Sequence, residues 1–184
     1  MFFLAVDPGI NNCGLCVGSY IDNKYHIHKT HRVNNLRKLV ENEKTLEEKY
    51  DLRSVKVLAI LQEIKKLIDH YGIKDIIIEA PFYNSLTPNA FGSLLEVIYA
   101  IKYSIVIPNN YNIILFEPLN IKKQFTTFSQ AKKHVMKEFL LSKQLNKEIL
   151  HDEDINFDTI SEHEIDAIAV GYCFTLLLQK EKVC

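Results

Sequence analysis

Two short, wholly apolar runs that each lead into a carboxylate place the strongest constraint on this chain. The first is FFLAV at 2–6, followed by Asp7, and the second is III at 76–78, followed by Glu79. A continuous apolar run of this length is typical of a strand buried on both faces. Such a sheet needs helices on both sides, so the pattern favours an α/β fold.

Turn residues and apolar spacing predict the remaining elements. Asp22-Asn23 is typical of a hairpin turn, so the strands on either side of it should be antiparallel. Later strands that are joined through helices should be parallel. The result is one mixed five-stranded sheet with helices on both faces. The predicted strands are 2–6, 13–20, 24–31, 75–79 and 113–116, and the predicted helices lie within 34–71, ending at Gly72, and over 90–106, 129–142 and 161–179.

Length and composition indicate one folded domain over 1–184. The chain has 184 residues, 47% of them hydrophobic, which is enough for a sizeable core. The net charge of -1 gives no global basic signature, although local patches can still bind nucleic acid. The apolar runs near 97–107 and 165–178 are shorter than the roughly 20 residues of a bilayer span. We therefore expect a soluble, cytoplasmic protein, or one of the host cytoplasm if the source is viral.

The cysteine pair at 13 and 16 is not expected to hold a metal. Both residues lie in a predicted strand, where positions three apart point to opposite faces. We therefore expect Cys13 and Cys16 to be reduced, apolar core residues.

Asp7 and Glu79 are expected to meet at one edge of the sheet. If their strands are parallel neighbours, both carboxylates emerge at the carboxyl ends of the strands, where ligands of open α/β sheets gather. Each residue alone has an ordinary explanation, because Asp-Pro-Gly is a common turn and a strand often ends on a charge. Together with the last helix, they form a less ordinary pattern.

The last predicted helix presents an acidic face at its start. At about 100° per residue, Glu162, His163 and Asp166 share one face, while Glu164 points nearly opposite. Carboxylates that converge need a cation, and oxygen-rich sites prefer Mg²⁺ or Mn²⁺. Two such ions can activate a water molecule and stabilise the leaving oxygen in phosphodiester cleavage. Glu162 is as well explained as a charge in the first turn of the helix.

Three segments in this order resemble the RuvC-type Holliday-junction resolvases, which belong to the ribonuclease H-like superfamily. They are VDPGINNCG after the first strand, IIIEAPF at the fourth and HEIDAIAVG in the last helix. The resemblance runs over nearly the whole chain. It implies a homodimeric endonuclease that binds a four-way DNA junction in recombination or repair and nicks two strands symmetrically. The implied cofactor is Mg²⁺, with Mn²⁺ as a substitute.

The resemblance also assigns residues to roles. The implied metal ligands are Asp7, Glu79, His163 and Asp166, and Phe82 matches an aromatic residue that stacks on bases at the opened crossover. The segment EPLNIKKQF matches a lysine-containing segment of the family. It implies that Lys122 approaches the scissile phosphate and that Lys123 and Lys132 contact DNA.

Charge counts agree with this assignment. Residues 118–147 hold seven lysines and one acidic residue, a net charge of +6, whereas 148–166 hold eight acidic residues and no Lys or Arg. A positive track beside an acidic metal pocket suits a nuclease. Of these lysines, Lys137, Lys143 and Lys147 are expected on solvated helix faces.

The sequence departs from the family at two places. Thr126-Thr127-Phe128-Ser129 stands where the family has Gly-x-Gly between the lysine positions, and the charged stretch 34–51 is longer than is typical. These differences, with the near-neutral charge, indicate a divergent member, as found in viruses or phages.

Four other interpretations compete. A flap or fork nuclease, or a ribonuclease acting on RNA–DNA hybrids, would use the same acids on the same fold. An actin-like kinase also begins with Asp-x-Gly after a strand but needs two lobes, for which 184 residues are too few. A non-catalytic junction-binding protein would have lost a ligand residue. A metal site at His26, His28 and His31 is not predicted, because exposed strand histidines are commoner.

Overall fold

The protein has a mixed α/β sheet with helices packed on both faces. In the computed structural model, which describes residues 1–34, 48–83, 85–86 and 88–181, six strands form one sheet in the order β5-β4-β1-β2-β3-β6. The first three strands are antiparallel, and β4 and β5 run parallel to β1, as predicted. The strands are β1 (Phe2–Asp7), β2 (Asn12–Ile21), β3 (Lys24–Asn34), β4 (Asp75–Glu79), β5 (Asn112–Phe116) and β6 (Ile149–His151).

Two elements were not predicted. The sixth strand, β6, is only three residues long and pairs in parallel with β3, so the prediction of five strands was one too few. The lysine-containing segment after β5 is helical, with Pro118 in its first turn, where a missing N–H costs nothing. The helices are α1 (Leu52–Tyr71), α2 (Pro88–Ile101), α3 (Pro118–Thr126), α4 (Lys133–Leu145) and α5 (Glu162–Glu181).

Both ends of α1 are capped by side-chain and backbone chemistry. The Asp51 carboxylate accepts a hydrogen bond of 2.8 Å from the backbone N–H of Ser54. Gly72 ends the helix in the left-handed region at φ 64°, as predicted, and its N–H donates to the Ile68 carbonyl. Most of the charged stretch 34–51 lies outside the described residues.

The sheet separates two hydrophobic cores, and strand alternation decides which residue enters which. Phe3 and Ala5 of β1 face the core that contains α5, whereas Leu4 and Val6 face the core that contains α1 and α2. The cysteines follow the same rule: Cys13 lies in the α1/α2 core and Cys16 in the α5 core, both fully buried and reduced. This confirms that the pair cannot share a metal ion.

Helix α2 is apolar but largely uncovered. It continues through a π-helical segment (Lys102–Val106) and a short turn (Ile107–Asn109). Taken together, Pro88–Asn109 has the length and composition of a membrane span, contrary to the sequence-based expectation that the apolar runs are too short. Only 28% of its apolar window is buried. Exposed apolar surfaces of this kind occur at protein contacts and at membrane contacts, so the feature identifies an apolar surface and not its partner.

Candidate active site

Asp7 and Glu79 lie side by side at the carboxyl ends of neighbouring strands. Val6 pairs with Ile78 in the parallel register of β1 and β4, so the next residue of each strand is one of the two acids. Side chains two residues apart on a strand share a face, so Asp7 lies on the same face as Ala5, and Glu79 on the same face as Ile77. Ala5 and Ile77 belong to the core that contains α5. The two carboxylates therefore lie at the same edge of the sheet, as the sequence predicted, and on the face that α5 covers.

The start of α5 approaches the sheet closely because Gly14 has no side chain. Gly14 pairs with Asp7 across β1 and β2. A Cβ at this position would lie 1.9 Å from the carbonyl oxygen of His163. The close approach places His163 Nδ1 at 2.7 Å from a carboxylate oxygen of Asp7. Because an ionised carboxylate only accepts, Nδ1 donates this bond, and Nε2 of a neutral His163 keeps its lone pair.

A capping box sets where α5 begins. The Glu164 carboxylate accepts from the Ser161 backbone N–H at 2.9 Å and from the Ser161 hydroxyl at 2.7 Å. The Ser161 hydroxyl lies 3.4 Å from the Glu164 N–H, which completes the reciprocal pair. Glu164 is thus engaged in capping and points away from Asp7, as the helical wheel predicted. This arrangement fixes the rotation of the helix that carries His163 and Asp166.

The electrostatics of the site reflect converging carboxylates. Burial, the charges of Asp7 and Asp166, and a hydrogen bond to Asp7 raise the pKa of Glu79 to about 8, although Lys122 opposes the shift. Burial and the charge of Asp7 raise the pKa of Asp166 to about 6, against the opposing effects of Lys122, His163 and Lys133. Because the pKa of each of these two acids depends on its neighbours, Asp7, Glu79 and Asp166 form one cluster.

His163 and Glu162 complete this side of the cluster. The hydrogen bond to Asp7 raises the pKa of His163 above its usual value, although burial works against it. Glu162 forms an ion pair of 2.5 Å with Lys133, which lowers the pKa of Glu162, and its carboxylate lies 3.7 Å from His163 Nε2. Glu162 therefore belongs to the rim of the cluster, which the sequence left open.

The donor set fits a hard divalent cation. Three carboxylates and one imidazole converge, and a bound cation would offset both the burial and the mutual repulsion that raise the pKa values of Glu79 and Asp166. Oxygen donors with one histidine suit Mg²⁺ or Mn²⁺. Asp7, Glu79, Asp166 and His163 are the residues that would hold the ions.

Two lysines face this cluster, and one of them was not among the residues that the sequence singled out. Lys122 on α3 acts on both Glu79 and Asp166, as expected of a residue beside the site. At the start of α4, Lys133 pairs with Glu162, whereas the predicted Lys132 occupies the preceding cap position and is exposed. Lys123 is exposed next to Lys122. The lysines that act electrostatically on the acid cluster are therefore Lys122 and Lys133.

Another lysine does not follow its prediction. Lys143 was expected on a solvated helix face, but its side chain is only 13% exposed. Its ammonium group lies 4.4 Å from the centre of the Tyr172 ring and bonds the Tyr172 hydroxyl and Glu148. Lys143 is therefore structural and does not contribute to a track for DNA.

The loop between α3 and α4 takes a left-handed turn without glycine. Thr127 has φ 69°, in the region that usually favours glycine, at the place where the resembling family has Gly-x-Gly. Buried Thr126 supports this turn, because its hydroxyl donates to the Lys122 carbonyl at 2.8 Å and accepts from the Phe128 N–H at 3.2 Å. The departure from the family's sequence therefore keeps a left-handed turn in the loop.

Phe82 lies in the loop after β4, three residues beyond Glu79. It is 51% exposed, so it is not a core residue. The neighbouring Tyr83 packs edge-on against Phe91 of α2, with ring centres 5.7 Å apart. An exposed ring beside the acids is available for stacking on a base.

Replacing Gly14 with alanine should damage the site through α5. The new methyl group would displace the His163 backbone, at a cost of about 1–3 kcal/mol in the free energy of unfolding. We expect a lower midpoint in urea unfolding and weaker Mg²⁺ binding. Gly92→Ala is the matched control, because a Cβ there meets nothing within 4 Å. In helix α2 that change should stabilise by about 0.5–1 kcal/mol. Equal effects of the two variants would contradict the close approach at Gly14.

Sequence comparisons identify no relative: no protein-family model matches, and no curated protein matches. Comparison with solved structures does identify similar proteins. Thermus thermophilus RuvC in complex with Holliday junction substrate aligns with a TM-score of 0.62 at 16% identity, covering 93% of this chain and 90% of that chain.

Two further resolvases have similar structures. The yeast mitochondrial Holliday junction resolvase Ydc2 aligns with a TM-score of 0.61 at 14% identity, over 94% of this chain and 78% of its own. The fowlpox virus resolvase, in complex with Holliday junction DNA, aligns with a TM-score of 0.56 at 16% identity, over 97% and 99%. The chain therefore has the ribonuclease H-like fold, with one strand more than predicted.

Proposed function

We propose that this protein is a divergent RuvC-type endonuclease that resolves four-way DNA junctions by paired, metal-dependent nicks. The observation that carries the proposal is the cluster of Asp7, Glu79, His163 and Asp166 at one sheet edge. Its support is twofold: the cluster suits divalent ions, and the similar structures include resolvases with Holliday junction DNA. Lys122 and exposed Phe82 flank the cluster.

In this proposal some residues bind the metal ions and others position the DNA. Bound divalent ions would supply a water molecule of lowered pKa and stabilise the leaving oxygen. Asp7 orients His163 by accepting from its Nδ1, so that Nε2 is the atom directed at an ion or the attacking water. Lys122 attracts the phosphate whose charge builds up during cleavage. Gly14 and the Ser161–Glu164 capping box hold α5 in place.

Phe82→Ala should impair opening of the junction more than metal binding. Stacking of an aromatic ring on a base contributes about 1–3 kcal/mol, so we expect junction cleavage to fall by about 5-fold to 150-fold. Fluorescence of 2-aminopurine placed at the crossover would report the opening directly. Tyr83→Ala is the control, because Tyr83 lies in the same loop but packs against Phe91. An unchanged fluorescence response in Phe82→Ala would refute the stacking role.

We further propose that α2, together with the π-helical segment and the short turn that continue it to Asn109, joins two copies of the chain. Tyr99, Tyr103 and Ile107 recur every fourth residue, so they form one stripe, and they are 47%, 61% and 54% exposed. An exposed apolar stripe of this kind is typical of a protein interface. A two-fold dimer would match the two-fold symmetry of a four-way junction.

Charged substitutions in this stripe should separate the copies. We expect the double variant Tyr99→Lys and Tyr103→Lys to sediment as a monomer where the native protein sediments as a dimer. It should also lose the coupling between the two nicks. Leu145→Lys is the control, since Leu145 is 81% exposed on α4 and away from the stripe. A native protein that is monomeric at micromolar concentration would overturn the dimer proposal.

A cleavage assay tests the function as a whole. Labelled four-way junction, linear duplex, flap and RNA–DNA hybrid are incubated with the protein and Mg²⁺, beside Asp166→Asn. Paired, symmetric nicks in the junction alone, absent in the variant, would support the proposal. Equal cutting of flaps would favour a broader branch nuclease, and cutting of the hybrid alone a ribonuclease. Tight junction binding without cutting would favour a non-catalytic junction-binding protein.

A further inference from the structure

A second cluster of metal-ligating groups lies at the β3–β6 edge of the sheet, which is the edge opposite β5 and β4. His26 and His28 project from the same face of β3, and Asp152 follows β6 directly. One carboxylate oxygen of Asp152 lies 2.9 Å from His26 Nε2 and the other 3.3 Å from His28 Nδ1. All three groups offer ligand atoms within 4.8 Å of one another. His31, which the sequence grouped with the other two histidines, is not part of this cluster.

The backbone holds the three ligands in register. Ile27 pairs with His151 between β3 and β6, and the Asp152 N–H donates to the Ile27 carbonyl at 3.0 Å. This pairing holds Asp152 opposite the two histidines, although it lies 126 residues from His26 and 124 residues from His28 along the chain. A site built on paired strands loses little conformational freedom when it binds an ion.

A buried hydroxyl group supports the ligand role of His28. The Ser19 side chain, in a residue that is only 1% exposed, lies 2.8 Å from His28 Nε2. When Nε2 donates to this oxygen, the lone pair of a neutral His28 resides on Nδ1 and points at Asp152. Metal-ligating histidines are typically held in this way, with the second ring nitrogen bonded to a fixed acceptor.

We propose that His26 Nε2, His28 Nδ1 and Asp152 bind a divalent transition ion of the zinc class, separately from the candidate active site. The contacts of 2.9 and 3.3 Å approach the edge of about 3.4 Å in a tetrahedron with bonds of about 2.1 Å. Two imidazoles and a carboxylate suit zinc better than magnesium. With three protein ligands, the fourth position is open to water. The two rings stack with centres 4.5 Å apart, so both nitrogens reach the same carboxylate.

Such an ion would fasten β6 to the sheet. This strand has three residues and lies at the sheet edge, so few backbone hydrogen bonds hold it. The chain from Asp152 then leads to Ser161, where α5 begins. Zinc binding should therefore raise the midpoint of thermal unfolding by several degrees.

Metal binding to the protein in solution tests this proposal directly. Asp7→Asn serves as the background, so that the candidate active site competes less. Zn²⁺ is measured by equilibrium dialysis, and Co²⁺ by its visible absorption. We expect about one equivalent of each at micromolar concentration. His26→Gln and Asp152→Asn should each weaken binding by about 10-fold to 100-fold or more. His31→Gln, on the same strand, should leave it unchanged.

The outcomes separate the site from other zinc binding. Cysteines of unfolded chain would give Co²⁺ a sulfur charge-transfer band, which a site of nitrogen and oxygen donors lacks. Such a band, affinity that is equal in His26→Gln and His31→Gln, or binding only at millimolar zinc would each overturn the proposal. Junction cleavage does not enter the measurement, so a failure here leaves the proposed nuclease untouched, and the reverse also holds.

Discussion

Asp7→Asn should abolish junction cleavage while the folded protein becomes more stable without metal. Asp7 bonds His163 and raises the pKa values of both Glu79 and Asp166 through its charge. Its loss removes a ligand shared by the whole cluster. We expect the cleavage rate in Mg²⁺ to fall by at least about 10³-fold, because even residues that only orient ligands contribute 10-fold to 100-fold. In EDTA, removal of one repelling charge should raise the thermal midpoint.

Two further measurements make this result specific. Junction affinity in EDTA should stay within about threefold of the native value, because lysines and Phe82 contact the DNA in our proposal. Asp69→Asn, which changes an exposed acid on α1, should keep both cleavage and stability near native. If Asp7→Asn retained a tenth of the native rate, or unfolded at a lower temperature in EDTA, the acids would not form a shared metal site.

Metal-free protein should lose stability as pH rises from about 4.5 to about 8, and Glu79→Gln should remove most of that loss. The pKa of Glu79 is about 8 in the folded protein against 4.5 for a free side chain. Between these values the folded state binds more protons than the unfolded state, so stability falls with rising pH. The raised pKa values of Asp166 and His163 act in the same direction. The contribution of Glu79 is on the order of a few kcal/mol.

Urea unfolding at several pH values measures this effect. In EDTA, the stability of Glu79→Gln relative to the native protein should increase from pH 5 to pH 8. Excess Mg²⁺ should reverse the order, because the ion binds the deprotonated site of the native protein only. Cleavage should rise over the same pH range as Glu79 and His163 lose protons. A difference between the two proteins that does not change with pH would show that Glu79 is not buried among charges.

The resemblance to resolvases was visible in the sequence because its signals are local. Asp7 and Glu79 follow apolar strands, and the face shared by His163 and Asp166 follows from helical geometry alone. The prediction for Cys13 and Cys16 was confirmed for the same reason, since alternation along a strand decides the face. Each of these inferences needs only the period of one element.

The elements that the sequence missed depend on distant partners. Strand β6 has three residues and exists because β3 offers an edge to pair with, so no local pattern predicts it. Lys133, which the sequence did not single out, lies beside the site because Glu162 of α5 pairs with it. Lys143 was assigned to solvent because a lysine on a helix usually lies on its solvated face, yet Tyr172 and Glu148 enclose its side chain.

The sequence by itself thus determined the strands that end in acids, the helix that carries His163 and Asp166, and the α/β class, because hydrophobic periodicity is a property of each segment. Only the tertiary structure decided how near these segments come. Gly14 lets α5 approach within hydrogen-bonding distance of Asp7, and burial together with the charges of Asp7 and Asp166 raises the pKa of Glu79. The tertiary structure also places Asp152 beside His26 and His28, because β6 pairs with β3.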